Sequence, residues 1–323
     1  MNKIKQEEIH IISRHSNLSK QSIQDLLIKN VYNDKVSWYK FLQILFISLG
    51  VSFLVAGLIF FFAYNWDELN KFVKLGLIQF LIILTIGLAY FLKISENLKN
   101  IVLTGAALLV GVLFAVFGQI YQTGANAYDF FLIWTICISI WAIVSNFYPL
   151  WLIFMILINT TFILYIKQVS NDWNESTFFF ILYCINGFVL IMNILSNYYF
   201  KQIKAPNWYT NILAIATVTF ASASIIIMID NPYFYERLIN IIILMVCLLS
   251  FVTGILYGYR TKNIFYLAII PLAIVIIISS ILVMNTNEGG MFLLTSLFIT
   301  ACIAVITMIL LNVQKRGKNE FNL

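Results

Sequence analysis

The chain has 323 residues, of which 61% are hydrophobic and 11% charged, with a mean hydropathy of +0.91; an ordinary soluble domain is roughly 45–50% apolar and about 25% charged. No water-soluble fold can bury that much apolar surface, and the charges fall between apolar blocks instead of striping helix faces as they would in a globular protein. The net charge of +6 does not point to a nucleic-acid partner, because a basic groove needs Lys and Arg gathered on one soluble face.

Residues 1–40 read as two short amphipathic helices, the second starting near Ser19 and placing Ile23, Leu26, Leu27 and Val31 on one face. So short a segment has no further helix to complete the core of a helix-turn-helix reader, so a cytoplasmic cap or partner surface is the expected role. His10 and His15 are not at the same-face spacing of a metal pair. The first apolar run begins at Phe41, too late and too long for a cleaved signal peptide, and is read as a retained span.

A helix crosses the hydrocarbon with about 20 apolar residues. Stretches free of Asp, Glu, Lys and Arg run Phe41–Trp66, Leu75–Leu92, Asn100–Tyr128, Phe130–Ile166, Ser176–Phe200, Ala205–Ile229, Leu238–Tyr259, Asn263–Asn287 and Gly289–Gln314. The fourth is too long for one span and carries Ser145-Asn146-Phe147-Tyr148-Pro149 in its middle, where proline disfavours helix in the residue before it. Dividing it there predicts ten spans. With the N-terminus inside, that division leaves only Lys71, Lys74, Lys167 and Arg237 of the 20 Lys and Arg on the outer side, as the positive-inside bias requires. An undivided block would distribute them almost evenly.

Polar chemistry concentrates after the first and third spans, in Ala63-Tyr64-Asn65-Trp66-Asp67-Glu68-Leu69-Asn70-Lys71 and in Gly118-Gln119-Ile120-Tyr121-Gln122-Thr123-Gly124-Ala125-Asn126-Ala127-Tyr128-Asp129. Both stretches fall at the outer face in this topology and could converge on one polar pocket, since such groups are costly at the hydrocarbon edge unless they find partners. The competing account is local. Asn65 with Glu68, and Asn126 with Asp129, have the spacing of helix-capping pairs, and Trp66, Tyr121, Tyr128 and Trp134 suit an interfacial aromatic belt. Neither caps nor belt explains Gln119 and Gln122 beside a glycine. Ala107, Gly111, Ala115 and Gly118 on the third span, and Gly50 and Gly57 on the first, predict close packing of those two spans.

No ionisable side chain is expected near the midpoint of any span, where proton relays and many ion-coupled carriers need one. Asn159, Thr160, Thr161, Asn186, Ser279 and Ser280 are read as helix-to-helix hydrogen-bonding residues, and Pro271 as a kink in the ninth span. Cys137, Cys184, Cys247 and Cys302 are far apart and lack metal or disulfide spacing. P-loop, HExxH and GxSxG patterns are missing, so no catalytic residue, metal or cofactor is expected.

AYNWDE followed by FGQIYQTGANAYDFFLIW resembles the bacterial membrane-protein family known as domain of unknown function 2157, over about the first half of the chain. The resemblance implies a bacterial inner-membrane location and directs attention to Asn65, Trp66, Asp67, Gln119, Tyr121, Gln122, Asp129 and Trp134; with Asn126, these form the candidate ligand-binding set. The expectation is thus an all-α polytopic transmembrane bundle. It comprises a cytoplasmic helical segment (1–40), spans one to four (41–146), spans five to ten (147–314) and a cytoplasmic tail (315–323). Its expected function is non-enzymatic, with a polar outer-face site for a small solute, a lipid headgroup or a partner protein, in contact with the lipid bilayer and with no nucleic acid. A small-solute or lipid transporter and a membrane assembly or scaffold subunit are the alternatives.

Overall fold

The computed structural model describes residues 9, 13, 19–30, 35–64, 69–121, 124–169, 174–199, 205–230, 238–284 and 289–320. Among the described residues every regular element is an α-helix. In chain order they are α1 (Lys20–Asn30), α2 (Lys35–Tyr64), α3 (Lys71–Phe91), α4 (Glu96–Tyr121), α5 (Ala127–Ser145), α6 (Tyr148–Gln168), α7 (Glu175–Tyr199), α8 (Asn207–Asp230), α9 (Leu238–Thr261), α10 (Ile264–Met284) and α11 (Gly289–Glu320). Ten of them, α2 to α11, are long and apolar enough to cross a membrane. At a rise of 1.5 Å per residue, a 21-residue helix such as α3, α6 or α10 is about 30 Å long, the thickness of the hydrocarbon core.

Ser19 starts α1 as expected, its hydroxyl accepting the N–H of Ser22 at 3.1 Å. Ile23 and Leu27 are half-buried on that helix while Gln24 and Asp25 are exposed; the side chain of Leu26, all of Val31, and His10 and His15 lie outside the described residues. The break inside the long fourth block is also present. α5 stops at Ser145, Asn146 turns into the left-handed region at φ 47°, and α6 restarts with Pro149 in its first turn. Asparagine tolerates that backbone, and proline suits a first turn, where its missing N–H has no partner to lose.

Two helix ends differ from the charge-free blocks. α2 begins at Lys35, six residues before Phe41, and α11 continues to Glu320, past Gln314. A charged residue ends the part of a helix that can sit in hydrocarbon; it does not end the helix, because Lys and Arg are good helix formers whose heads reach water.

The chain divides into two packed units, Met1–Ala125 and Asn126–Leu323. In the first, α4 packs against both α2 and α3. Ile101, Gly105, Leu109, Val112 and Val116 are buried on α4 at spacings of three and four, one face of the helix. Leu109, Val112 and Val116 cluster with Val55 and Phe62 of α2 and Ile78 of α3. The predicted pairing of α2 with α4 is therefore present, but Gly50 and Gly57 do not make it: a Cβ added at either would meet nothing within 4 Å, and of the predicted α4 residues Ala115 is exposed while Ala107 is fully buried. The close approach is at Gly105, where a Cβ would come within 2.6 Å of Val51 Cγ1.

In the second unit, α5 pairs with α6, α7 with α8, and α10 with α8, α9 and α11. α8 buries Thr210, Leu213, Thr217, Ala221, Ser224 and Met228, a stripe dominated by small residues that lets neighbouring backbones come near. α9 meets α10 at Gly254 and Gly258, where added Cβ atoms would approach Ile270 Cδ1 to 2.5 Å and Tyr266 Cβ to 3.1 Å. This small-xxx-small pair is legible in the sequence but was not among the expected contacts. α10 runs through Pro271 as one helix.

The intramembrane asparagines pair with each other. Asn159 Nδ2 of α6 donates to Asn186 Oδ1 of α7 at 3.1 Å, Asn186 Nδ2 donates back to Asn159 Oδ1 at 2.8 Å, and Asn186 also donates to the Leu182 carbonyl at 2.8 Å. With Asn186 only 1% exposed, removing one partner strands an amide in an apolar core. We predict that Asn159→Leu and Asn186→Leu each destabilise the protein by roughly 1–2 kcal/mol, and that the double variant loses clearly less than the two together. Unfolding of the four proteins in bicelles measures this, and strictly additive losses would show that the amides do not act as a pair.

Candidate functional site: polar helix ends

In the first unit, α2 ends at Tyr64, α3 starts at Lys71 and α4 ends at Tyr121. Phe62, Leu69, Leu75, Val116 and Ile120 share one hydrophobic cluster. The apolar residues that bracket the first motif therefore pack against Val116 and Ile120, near the end of α4 where the second motif begins. Asn65, Trp66, Asp67 and Glu68 lie outside the described residues, as does Gln122.

Asn65 and Glu68 were the expected capping pair for α3, but the cap is Asn70, whose Oδ1 accepts the N–H of Phe72 at 3.1 Å. The helix begins four residues before Leu75, where the charge-free block starts. Lys71 and Lys74 are consequently helical rather than loop residues. The Lys71 ammonium sits 5.3 Å from the centre of the Phe72 ring, within cation–π range, and Lys74 is buried in the first turn.

Gln119 is exposed. It lies off the Leu109, Val112, Val116 and Ile120 face that packs into the unit, so helical geometry turns its amide away from the core. Tyr121 is 44% exposed and its ring packs at a tilt of 43° against Phe117 four residues earlier, with ring centres 4.6 Å apart. Gly124, in the turn after α4, has φ +64°, a backbone that glycine adopts without the Cβ clash other residues suffer.

Asn126, Asp129 and Trp134 belong to the second unit, where the start of α5 is held against the end of α6. The Asp129 carboxylate accepts the N–H of Asn126 at 3.0 Å, the reciprocal half of a capping box. The Tyr128 N–H donates to Gln168 Oε1 of α6 at 3.0 Å, and the Tyr128 ring meets Tyr165 edge-on at 5.3 Å. Deeper along the same pair, the Thr135 and Thr161 hydroxyls are 3.3 Å apart. Trp134 is half-buried with its ring 5.9 Å from Phe131. Asp129 thus has a structural task in starting α5, and Gln168, forty positions from its partner, is a capping residue that no local pattern announces.

With every described regular element helical and ten of them long and apolar enough to cross a bilayer, the chain is a multipass membrane protein. Residues 18–151 match the family described as "Predicted membrane protein (DUF2157)", a region that runs from the threshold of α1 into the first turn of α6 and contains both polar motifs. No curated protein and no solved structure matches the chain.

The different roles of these residues lead to a stability test. Asp129→Ala and Gln168→Ala should each destabilise the protein by about 1 kcal/mol through loss of a cap, whereas Gln119→Ala should stay within about 0.5 kcal/mol of wild type because its side chain is exposed. Thermal unfolding in detergent checks the order; a Gln119→Ala loss as large as that of Asp129→Ala would contradict it.

Proposed function

We propose that this chain is a non-enzymatic multipass protein of the bacterial cytoplasmic membrane with both termini in the cytoplasm. On this reading, the helix ends carrying Asn65–Asp67 and Gln119–Gln122 form an outer-face binding site for a small polar solute, a lipid headgroup or a partner protein. The observation that supports it is the packing of Phe62 and Leu69, which flank the first motif, with Val116 and Ile120 of α4, together with the exposure of Gln119 and Tyr121. An amide and a phenol supply donors and acceptors that neither cap a helix nor stabilise the core. The membrane location is supported by the family match over residues 18–151, and the orientation by the basic excess on one side of the ten spans. Transport receives less support, because Asn159 and Asn186, the residues best placed to line a midplane path, satisfy one another.

Orientation is tested by labelling intact cells with a membrane-impermeant maleimide. Gln119→Cys should react without permeabilisation and Lys20→Cys only after it, and the reverse pattern would overturn the topology. Ligand binding is tested by thermal shift of the purified protein against amino acids, hexoses and phosphatidylethanolamine. A ligand at a hundred times its dissociation constant should add about 2.7 kcal/mol of stability, and this gain should disappear in Gln119→Ala with Tyr121→Ala. Equal stabilisation of that double variant would refute the site.

A further inference from the structure

In the first unit α2 and α4 run in the same direction and share one register. Val51, Val55, Leu58 and Phe62 pack from α2, and Gly105, Leu109, Val112 and Val116 from α4, at the same spacings of four, three and four. With Val51 directly against Gly105, each residue of the first set lies level with its counterpart in the second. Extended to the start of α4, that register sets Leu42 level with Glu96. Lys40 then lies ~3 Å further out, at the depth of the turn between α3 and α4 that carries Lys93.

Helix length fixes that depth in the bilayer. Lys93 is two residues beyond the end of α3, a helix of 21 residues and so about as long as the hydrocarbon is thick. Lys40 and Lys93 therefore stand at the edge of the hydrocarbon, and Lys35, at the start of α2, reaches ~7 Å further into the headgroup layer. All three lysines are exposed. Large rings accompany them, with Trp38 57%, Tyr39 71% and Tyr90 76% exposed; at this depth such side chains keep an apolar body among acyl chains and a polar tip among headgroups. Glu96 is the one carboxylate among the described residues of these helix ends, and Lys99 in the same turn of α4 offsets it. The positive charge thus rests on Lys35, Lys40 and Lys93. At the opposite end of the unit only Lys71 is an exposed lysine among the described residues, since Lys74 is buried.

We propose that the start of α2 and the α3–α4 turn bind an anionic glycerophospholipid through its phosphodiester. Lys40 and Lys93 supply positive charge at the depth of the phosphate and Lys35 at the outer part of the headgroup, while Trp38, Tyr39 and Tyr90 lie at the level of the glycerol and upper acyl chains. Charge complementarity selects this lipid over a zwitterionic one. The assignment is the same for either orientation of the spans, because only depth in the bilayer enters it, and the surface is at the other end of α2 and α4 from the polar motifs.

Full-length protein equilibrated in mixed micelles with equal dioleoyl phosphatidylglycerol and dioleoyl phosphatidylcholine, then repurified and extracted, tests the proposal. The two lipids have identical acyl chains, so their ratio by mass spectrometry reads the headgroup alone. Wild type should enrich phosphatidylglycerol about tenfold, and Lys40→Gln with Lys93→Gln should return the ratio close to that of the micelle. Lys71→Gln with Lys167→Gln removes the same charge at other helix ends and should leave the enrichment unchanged. Thermal unfolding of each variant confirms that it is folded. Equal binding of the two lipids by wild type, undiminished enrichment in the first double variant, or an equal fall in both would overturn the proposal.

Discussion

Hydrocarbon offers no hydrogen bond to a peptide group, so a chain crossing it must satisfy each backbone N–H and C=O within its own segment. Nearly everything else in this protein follows from that constraint. It makes α2 to α11 helical whatever their individual propensities, and it draws the charged residues to helix ends. It also puts a premium on the first and last turns, where backbone groups lack intrahelical partners. The local chemistry of Ser19, Asn70 and Asp129, and the reach of Gln168 to Tyr128, are answers to that need.

Within the bilayer, burying apolar side chains gives little drive for one helix to prefer another, since lipid tails are as apolar as leucine. Packing must come from closeness of approach and from polar pairs. Gly105 against Val51, Gly254 against Ile270 and the small-residue face of α8 provide the first. The Asn159–Asn186 and Thr135–Thr161 contacts provide the second, one between α6 and α7 and the other between α5 and α6. The Ser279 Oγ, like that of Ser176, is buried without a hydrogen-bond partner.

The polar motifs separate by task. Asn126 and Asp129 start a helix, whereas Gln119 and Tyr121 end one without capping it and remain exposed. Conventional catalytic and metal patterns gave no purchase in the sequence, so the functional reading rests on the exposed polar side chains beside the packed ends of α2 and α4. The family match embraces both motifs and stops at the start of α6, which makes the first unit, with the opening of the second, the part whose pattern recurs in other proteins.

The sequence by itself determined the all-helical class, the ten spans and the break at Asn146–Pro149, because hydropathy, charge and proline act locally and leave a period that can be read directly. Helix limits were less legible: Lys35 and Lys71 are helical although charged, so a rule built on hydrocarbon solubility placed α2 and α3 too late. Only the tertiary structure decided which small residues meet, since Gly50 and Gly57 have the same composition as Gly105 and differ only in what faces them. It alone paired Asn159 with Asn186 and Gln168 with Tyr128, and left Ser279 without an acceptor. Those facts depend on which side chain lies across from which, and one chain read in order carries no record of its neighbours in space.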